Sequence, residues 1–131
     1  MAILIVEDNP TNGLILRHLM AKAGSGEIVV CHDPAKALQI CKTQSFDLLM
    51  VDHMLPGMTG VQFVRLIRSF DDFRDTPIVM VTADTSAEVR EEALAAGVNT
   101  FLTKPIEALG FTRMMSRLIV TNAPTAAQKT A

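Results

Sequence analysis

Five short, almost uninterrupted apolar stretches punctuate this chain, and a segment with helical spacing follows each. The stretches are Ala2–Val6, Glu27–Cys31, Phe46–Val51, Ile78–Val81 and Val98–Leu102. A strand with one face in water alternates apolar and polar residues. Continuous runs instead require cover on both faces, as in a parallel sheet. Strands of this kind alternating with helices predict a doubly wound α/β sandwich. A chain of 131 residues suits one domain, and 49% hydrophobic with 20% charged residues is enough for a sizeable core and argues against disorder.

The helical segments carry their own signals. Thr11 or Asn12 can cap a helix that runs to about Ala23, with Leu16, Met20 and Ala23 on one face and Gly24-Ser25-Gly26 as its stop. Asp33-Pro34 pairs a cap with a proline at the first helical position, ahead of Ala37, Leu38 and Cys41. Gly60, Phe63, Val64 and Ile67 fall at i, i+3, i+4 and i+7. Asp75-Thr76-Pro77 reads as a turn. Thr85 or Ser86 opens a helix with Val89, Ala93 and Ala96 on one side, closed by Gly97. Phe111, Met115, Leu118 and Ile119 mark the last helix. From Val120 the sequence VTNAPTAAQKTA has no recurring apolar residue and reads as a tail or the start of a linker.

Several function classes are disfavoured. Net charge is −2 and no basic stripe runs along any segment, which argues against nucleic-acid binding. Apolar runs such as Ile78–Val81 are too short to span a bilayer. The opening MAILIVEDN has no charged leader region, which points to the cytoplasm. Cys31 and Cys41 read as buried free thiols.

Chemistry collects at the strand ends. Glu7 and Asp8 follow the first strand and Asp52 the third. Thr82 closes the fourth, and Lys104-Pro105 follows the fifth. In an open parallel sheet these ends share one edge, and ligands bind where the strand order reverses. In the order 2-1-3-4-5, strands one and three are neighbours, so Glu7, Asp8 and Asp52 should converge. At about 5 Å and an effective dielectric of about 20, each carboxylate pair repels by roughly 3 kcal/mol. Either a pKa rises or a cation binds. Hard oxygens with open water positions suit Mg2+. Lys104 and Thr82 then offer a positive charge and a hydroxyl to an anion over Asp52, the parts for phosphoryl transfer to an aspartate.

The segments ILIVEDN, LLMVDHMLPGMTG, IVMVTAD and FLTKP, in this order and at strand ends, resemble the motifs of response-regulator receiver domains, over residues 1 to about 119. The resemblance implies a flavodoxin-like three-layer fold with five strands. It implies Asp52 as the phosphoacceptor, and Asp8, Asp52 and the Met54 backbone carbonyl as Mg2+ ligands, with Glu7 holding the ion through water. It implies Thr82 and Lys104 as phosphoryl ligands, Thr82 and Phe101 as switch residues, and a cis peptide before Pro105. Its partners would be a sensor histidine kinase or histidine phosphotransfer protein, with an effector domain, a downstream protein or a second copy as output through the face of the fourth helix, fifth strand and fifth helix. Two positions depart from the family pattern. The switch position is Phe101, which lacks a tyrosine hydroxyl. Met54, two residues past the acceptor, cannot hold an attacking water by its side chain, whereas Asp84, two past Thr82, can.

Each residue alone also has a bland reading. Glu7 and Asp8 suit a helix N-terminus, Thr82 a cap, Lys104 solvent, and Phe101 the core. Their joint placement outweighs those readings. His53 follows Asp52 and, in an extended strand, points to the opposite side. It is assigned no chemistry, nor are His18 and His32. An aspartate-nucleophile phosphatase of the haloacid-dehalogenase kind would need an acid at Met54. A flavodoxin-type FMN binder would need a hydroxyl-rich loop where Glu7 and Asp8 repel phosphate. A receiver acting only as a phosphorylation-independent interaction module is the remaining alternative.

Overall fold

The apolar runs form the strands of one sheet and the segments between them form its helices. The computed structural model describes residues 1–24 and 26–122, with side chains as far as Leu118. In chain order the elements are β1 (Ala2–Val6), α1 (Pro10–Lys22), β2 (Glu27–Cys31), α2 (Pro34–Thr43), β3 (Leu48–Asp52), α3 (Gly60–Arg68), β4 (Ile78–Thr82), α4 (Ala87–Ala96), β5 (Thr100–Thr103) and α5 (Ala108–Asn122), with a 3-10 turn at Asp71–Phe73. The strands pair in parallel in the order β2-β1-β3-β4-β5. This is the flavodoxin-like sandwich that the sequence predicts.

The period of two along each strand feeds two cores. Leu4, Val6, Leu49, Val51 and Met80 pack against α2, α3 and α4, whose Ala37, Phe63, Val64, Ile67 and Ala93 are buried with them. Ile3, Ile5, Leu48, Met50, Val79 and Val81 pack against Leu16 and Met20 of α1 and Phe111, Met114 and Leu118 of α5. Each such side chain withdrawn from water contributes about 1.5–3 kcal/mol. Every apolar residue of the central strands β3 and β4 is therefore used on one face or the other.

The element ends differ from expectation in ways the bonds explain. Asn9, not Thr11 or Asn12, caps α1: its side chain accepts the Asn12 N–H at 3.0 Å and Pro10 takes the first turn. Asn9-Pro10 thus repeats the logic of Asp33-Pro34. Ala23, expected on the inner face, is the exposed C-cap. Strand β3 begins at Leu48, although Phe46 is buried, and ends on Asp52, which pairs with Val81. Strand β5 begins at Thr100 because the Val98 N–H closes α4 on Ala93 O at 3.0 Å. In α5 the inner position is Met114, with Met115 partly buried. Of the two candidate caps for α4, Ser86 serves. Helix α5 continues through Asn122, past the expected tail boundary at Val120, and residues 123–131 of that tail lie outside the described residues, as does the Ile119 side chain.

Candidate functional site

The strand order reverses between β1 and β3, and the predicted residues stand at that edge. Glu7 and Asp8 follow β1, Asp52 and Thr82 are the last residues of β3 and β4, and Lys104 follows β5. The Lys104 N–H donates to Thr82 O at 2.9 Å, which keeps the β5 exit beside β4. The Lys104–Pro105 peptide is cis.

Asp52 is 3% exposed and Glu7 fully buried, whereas Asp8 is open to solvent. One carboxylate oxygen from each of the three lies within 4.8 Å of the others. The Lys104 ammonium reaches between two of them, donating to Asp52 Oδ1 at 3.0 Å and standing 3.3 Å from Glu7 Oε1. Glu7 Oε2 accepts the Asn9 N–H at 3.2 Å. Glu7 Oε1 is buried with no hydrogen-bond partner, so its contact with Lys104 is one of charge rather than of hydrogen-bond alignment. Burial, and after it the neighbouring Asp52 carboxylate, push the Glu7 carboxyl up to about 7. Burial alone would lower the Lys104 ammonium, but the Asp52 hydrogen bond and the charges of Asp52 and Glu7 outweigh it and the net shift is upward.

A buried carboxylate oxygen without a donor, beside two further carboxylates, suits a hard cation. The donor set therefore fits Mg2+, and Glu7, Asp8 and Asp52 are the side chains that could hold it. Met54 lies two residues past Asp52, in a loop closed by a bridge to Thr59 and a turn at Gly57, where φ is 81°. Gly60 presses this loop onto β3. Its N–H donates to His53 O at 2.7 Å, and a Cβ at this position would come within 3.0 Å of His53 Cα.

A cavity of about 200 Å3 opens beside Asp52, walled by His53, Met54, Thr82, Asp84 and Lys104. His53 therefore belongs to this rim, contrary to the sequence reading. The paired strand ends at Asp52 and the chain bends at His53, so alternation no longer sets its direction. Its Nδ1 lies 3.4 Å from Thr82 Oγ1. Thr82 Oγ1 also accepts the Asp84 N–H at 2.9 Å and contacts Asp84 O at 3.3 Å. The Asp84 carboxylate turns to the Ser86 N–H at 2.9 Å, and this bond holds its pKa below the usual carboxylate range. His32, also passed over, reaches Glu7 O through Nδ1 at 2.8 Å and braces the end of β1. No spacing signal marked either histidine. Phe101 does not line this cavity and is 8% exposed. The Arg90 guanidinium carbon is 4.8 Å from its ring centroid, and Arg117 Nη2 donates to its carbonyl at 3.2 Å.

Comparison with known proteins agrees with this arrangement. The sequence pattern described as response regulator receiver domain matches residues 3–116. The chain belongs to this family. Receiver domains act in two-component signalling, and this one spans β1 to α5 of the matched region. It is 35% identical over 108 residues to the chemotaxis protein CheY of Pseudomonas aeruginosa, a match covering 82% of this chain and 87% of that one. It is 38% identical over 105 residues to the cyclic di-GMP phosphodiesterase response regulator RpfG of Xanthomonas campestris, covering 79% of this chain but only 28% of RpfG. Among solved structures, it resembles the receiver domain of sensor histidine kinase PA1611 from Pseudomonas aeruginosa, with a TM-score of 0.79, 31% identity, and coverage of 91% of this chain and 97% of that one. That receiver carries a magnesium ion in its active-site cleft. Among the described residues, no helix of this receiver is long and apolar enough to cross a membrane.

Proposed function

We propose that this receiver accepts a phosphoryl group on Asp52 from the phosphohistidine of a sensor histidine kinase or histidine phosphotransfer protein. The observation that carries the reading is the Asp52 carboxylate itself. It is buried at a strand end, held by Lys104 at 3.0 Å, grouped with Glu7 and Asp8, and bordered by a cavity. One Asp52 oxygen attacks phosphorus, and the P–N bond to the donor imidazole breaks, returning its electron pair to that ring. Lys104 holds the attacking carboxylate and is placed to meet charge on the transferring group. Mg2+, held by Asp8, Asp52 and the Met54 carbonyl with Glu7 behind them, would supply charge neutralisation for the phosphoryl oxygens. The magnesium in the PA1611 receiver supports this assignment by analogy.

The new group adds roughly two negative charges. Thr82 then exchanges its contacts with Asp84 and His53 for a phosphoryl oxygen, the loop between β4 and α4 follows, and Phe101 turns further inward. The face of α4, β5 and α5 changes shape for a downstream partner, an attached effector or a second copy. A full switch from 1:99 to 99:1 needs about 5.5 kcal/mol of differential stabilisation. The domain, expected over residues 1–119, extends to the end of α5 at Asn122 and works in the cytoplasm. Transfer of label from a phosphoramidate donor tests the acceptor. Asp52→Asn abolishes it, whereas undiminished labelling of that variant would place the acceptor elsewhere.

A further inference from the structure

Phe101 has no hydroxyl, so its ring can be held only by packing or through its face. The Arg90 guanidinium, 4.8 Å from the ring centroid, supplies a partner for that face. A solitary cation–π contact is common on protein surfaces. Arg90 differs because an unbroken series of hydrogen bonds joins it to Thr82. Thr82 Oγ1 accepts the Asp84 N–H at 2.9 Å, and Asp84 Oδ1 accepts the Ser86 N–H at 2.9 Å. Ser86 then caps α4: its Oγ accepts the Val89 N–H at 3.3 Å and its carbonyl accepts the Arg90 N–H at 3.1 Å. The series returns to its starting point across the sheet. Met80 stands opposite Phe101 and Thr82 opposite Thr103. Thr82, two residues past Met80, therefore shares the sheet face of Phe101. Only the Val81–Leu102 pair, whose side chains face the other way, separates the pair that holds this ring from the pair that holds the hydroxyl where the bonded path begins.

We propose that Arg90 is a positioning residue that transmits the position of the Thr82 hydroxyl to Phe101. Its use in signalling rests on the phosphoacceptor reading, but the coupling itself needs no phosphate. While Thr82 is bonded to Asp84, the Asp84–Ser86 turn anchors the first turn of α4 and Arg90 covers the ring. When Thr82 turns toward Asp52, it surrenders those bonds. The turn loses its anchor, Arg90 withdraws, and the ring is free to move into the space beside Thr82. Arg117 meanwhile retains the Phe101 carbonyl, so the side chain moves rather than the strand.

The test uses the full chain with ring-labelled phenylalanine, the Phe101 resonance being assigned by its absence in Phe101→Leu. Thr82→Val, or Thr82→Ala if that variant folds poorly, removes the hydroxyl, and Thr82→Ser keeps it. The hydroxyl-deleting variant moves the Phe101 resonance and Thr82→Ser does not. Adding Arg90→Met, which keeps a long stem without the charge, reduces that response roughly two- to fivefold, the range of an exposed cation–π contact. Adding Arg90→Lys preserves most of it. An undiminished response in Arg90→Met, or no response to hydroxyl deletion with Arg90 intact, overturns the proposal. No arm requires phosphorylation, so a failure of Asp52 to accept phosphate is a separate result that overturns the proposed function alone.

Discussion

Glu7 makes the metal-free protein less stable as pH rises through neutrality. Its carboxyl is raised from 4.5 to about 7 by burial and by its neighbour Asp52, so the native pair holds a proton that the unfolded chain has released. A raised pKa contributes its full stability below the unfolded value and loses it as pH climbs through the folded one. The rise from 4.5 to about 7 corresponds to roughly 3 kcal/mol in full. Most of it, on the order of 2–3 kcal/mol, disappears between pH 5 and pH 8. The proton belongs to the Glu7–Asp52 pair, and the loss is a property of both. Urea midpoints in chelator at several pH values between 5 and 8, for the wild type and for Glu7→Gln, measure it. The variant has no carboxyl to ionise at this position, so the wild type should lose on the order of 2–3 kcal/mol more than the variant across the window. Comparing the two cancels the histidines, which titrate in both. Mg2+ should act in the opposite direction, because its ligands must be ionised. Its affinity for the wild type is expected to tighten about tenfold from pH 6 to pH 8. Identical pH slopes for wild type and Glu7→Gln in chelator would refute the reasoning.

Two further expectations concern the scaffold around the site. Gly60→Ala should destabilise the fold by about 1–3 kcal/mol in denaturant titrations, because its Cβ would push against the backbone of Asp52 and His53. Arg68→Met should lower stability by about 2–4 kcal/mol, read from the same titrations, because Arg68 ties α3 to two neighbouring segments. It donates to Phe73 O and Thr76 O, each at 2.6 Å, and to Gly97 O at 2.6 Å and Asn99 Oδ1 at 2.9 Å.

The fold was legible because burial on both faces leaves a coarse mark. Runs such as Ile78–Val81 have no polar alternation, and the apolar positions of α3 recur at helical spacing. The carboxylate cluster was legible for a topological reason, since every parallel strand delivers its C-terminal neighbour to one edge. Bonds made by backbone and by long side chains were less visible. Asn9-Pro10 carries the same capping device as Asp33-Pro34, but Thr11 and Asn12 offer competing caps in the sequence. Alternation sets the direction of His53 only while the strand continues, and the strand ends one residue earlier at Asp52. Arg68 sits at the end of an amphipathic helix, where an arginine usually meets water, and only the folding of the Asp71–Phe73 turn and the α4–β5 connection around it gives it partners. Arg90 lies on the solvent side of α4, and its contact with Phe101 joins elements whose relative placement no local pattern encodes.

Intact-protein mass after incubation with acetyl phosphate or phosphoramidate tests most directly whether Asp52 is a magnesium-dependent phosphoacceptor. The expected result is a gain of one phosphoryl group with Mg2+, no gain in chelator, and no gain for Asp52→Asn in either condition. An unchanged mass under every condition would contradict it and leave the receiver fold serving as a phosphorylation-independent interaction module.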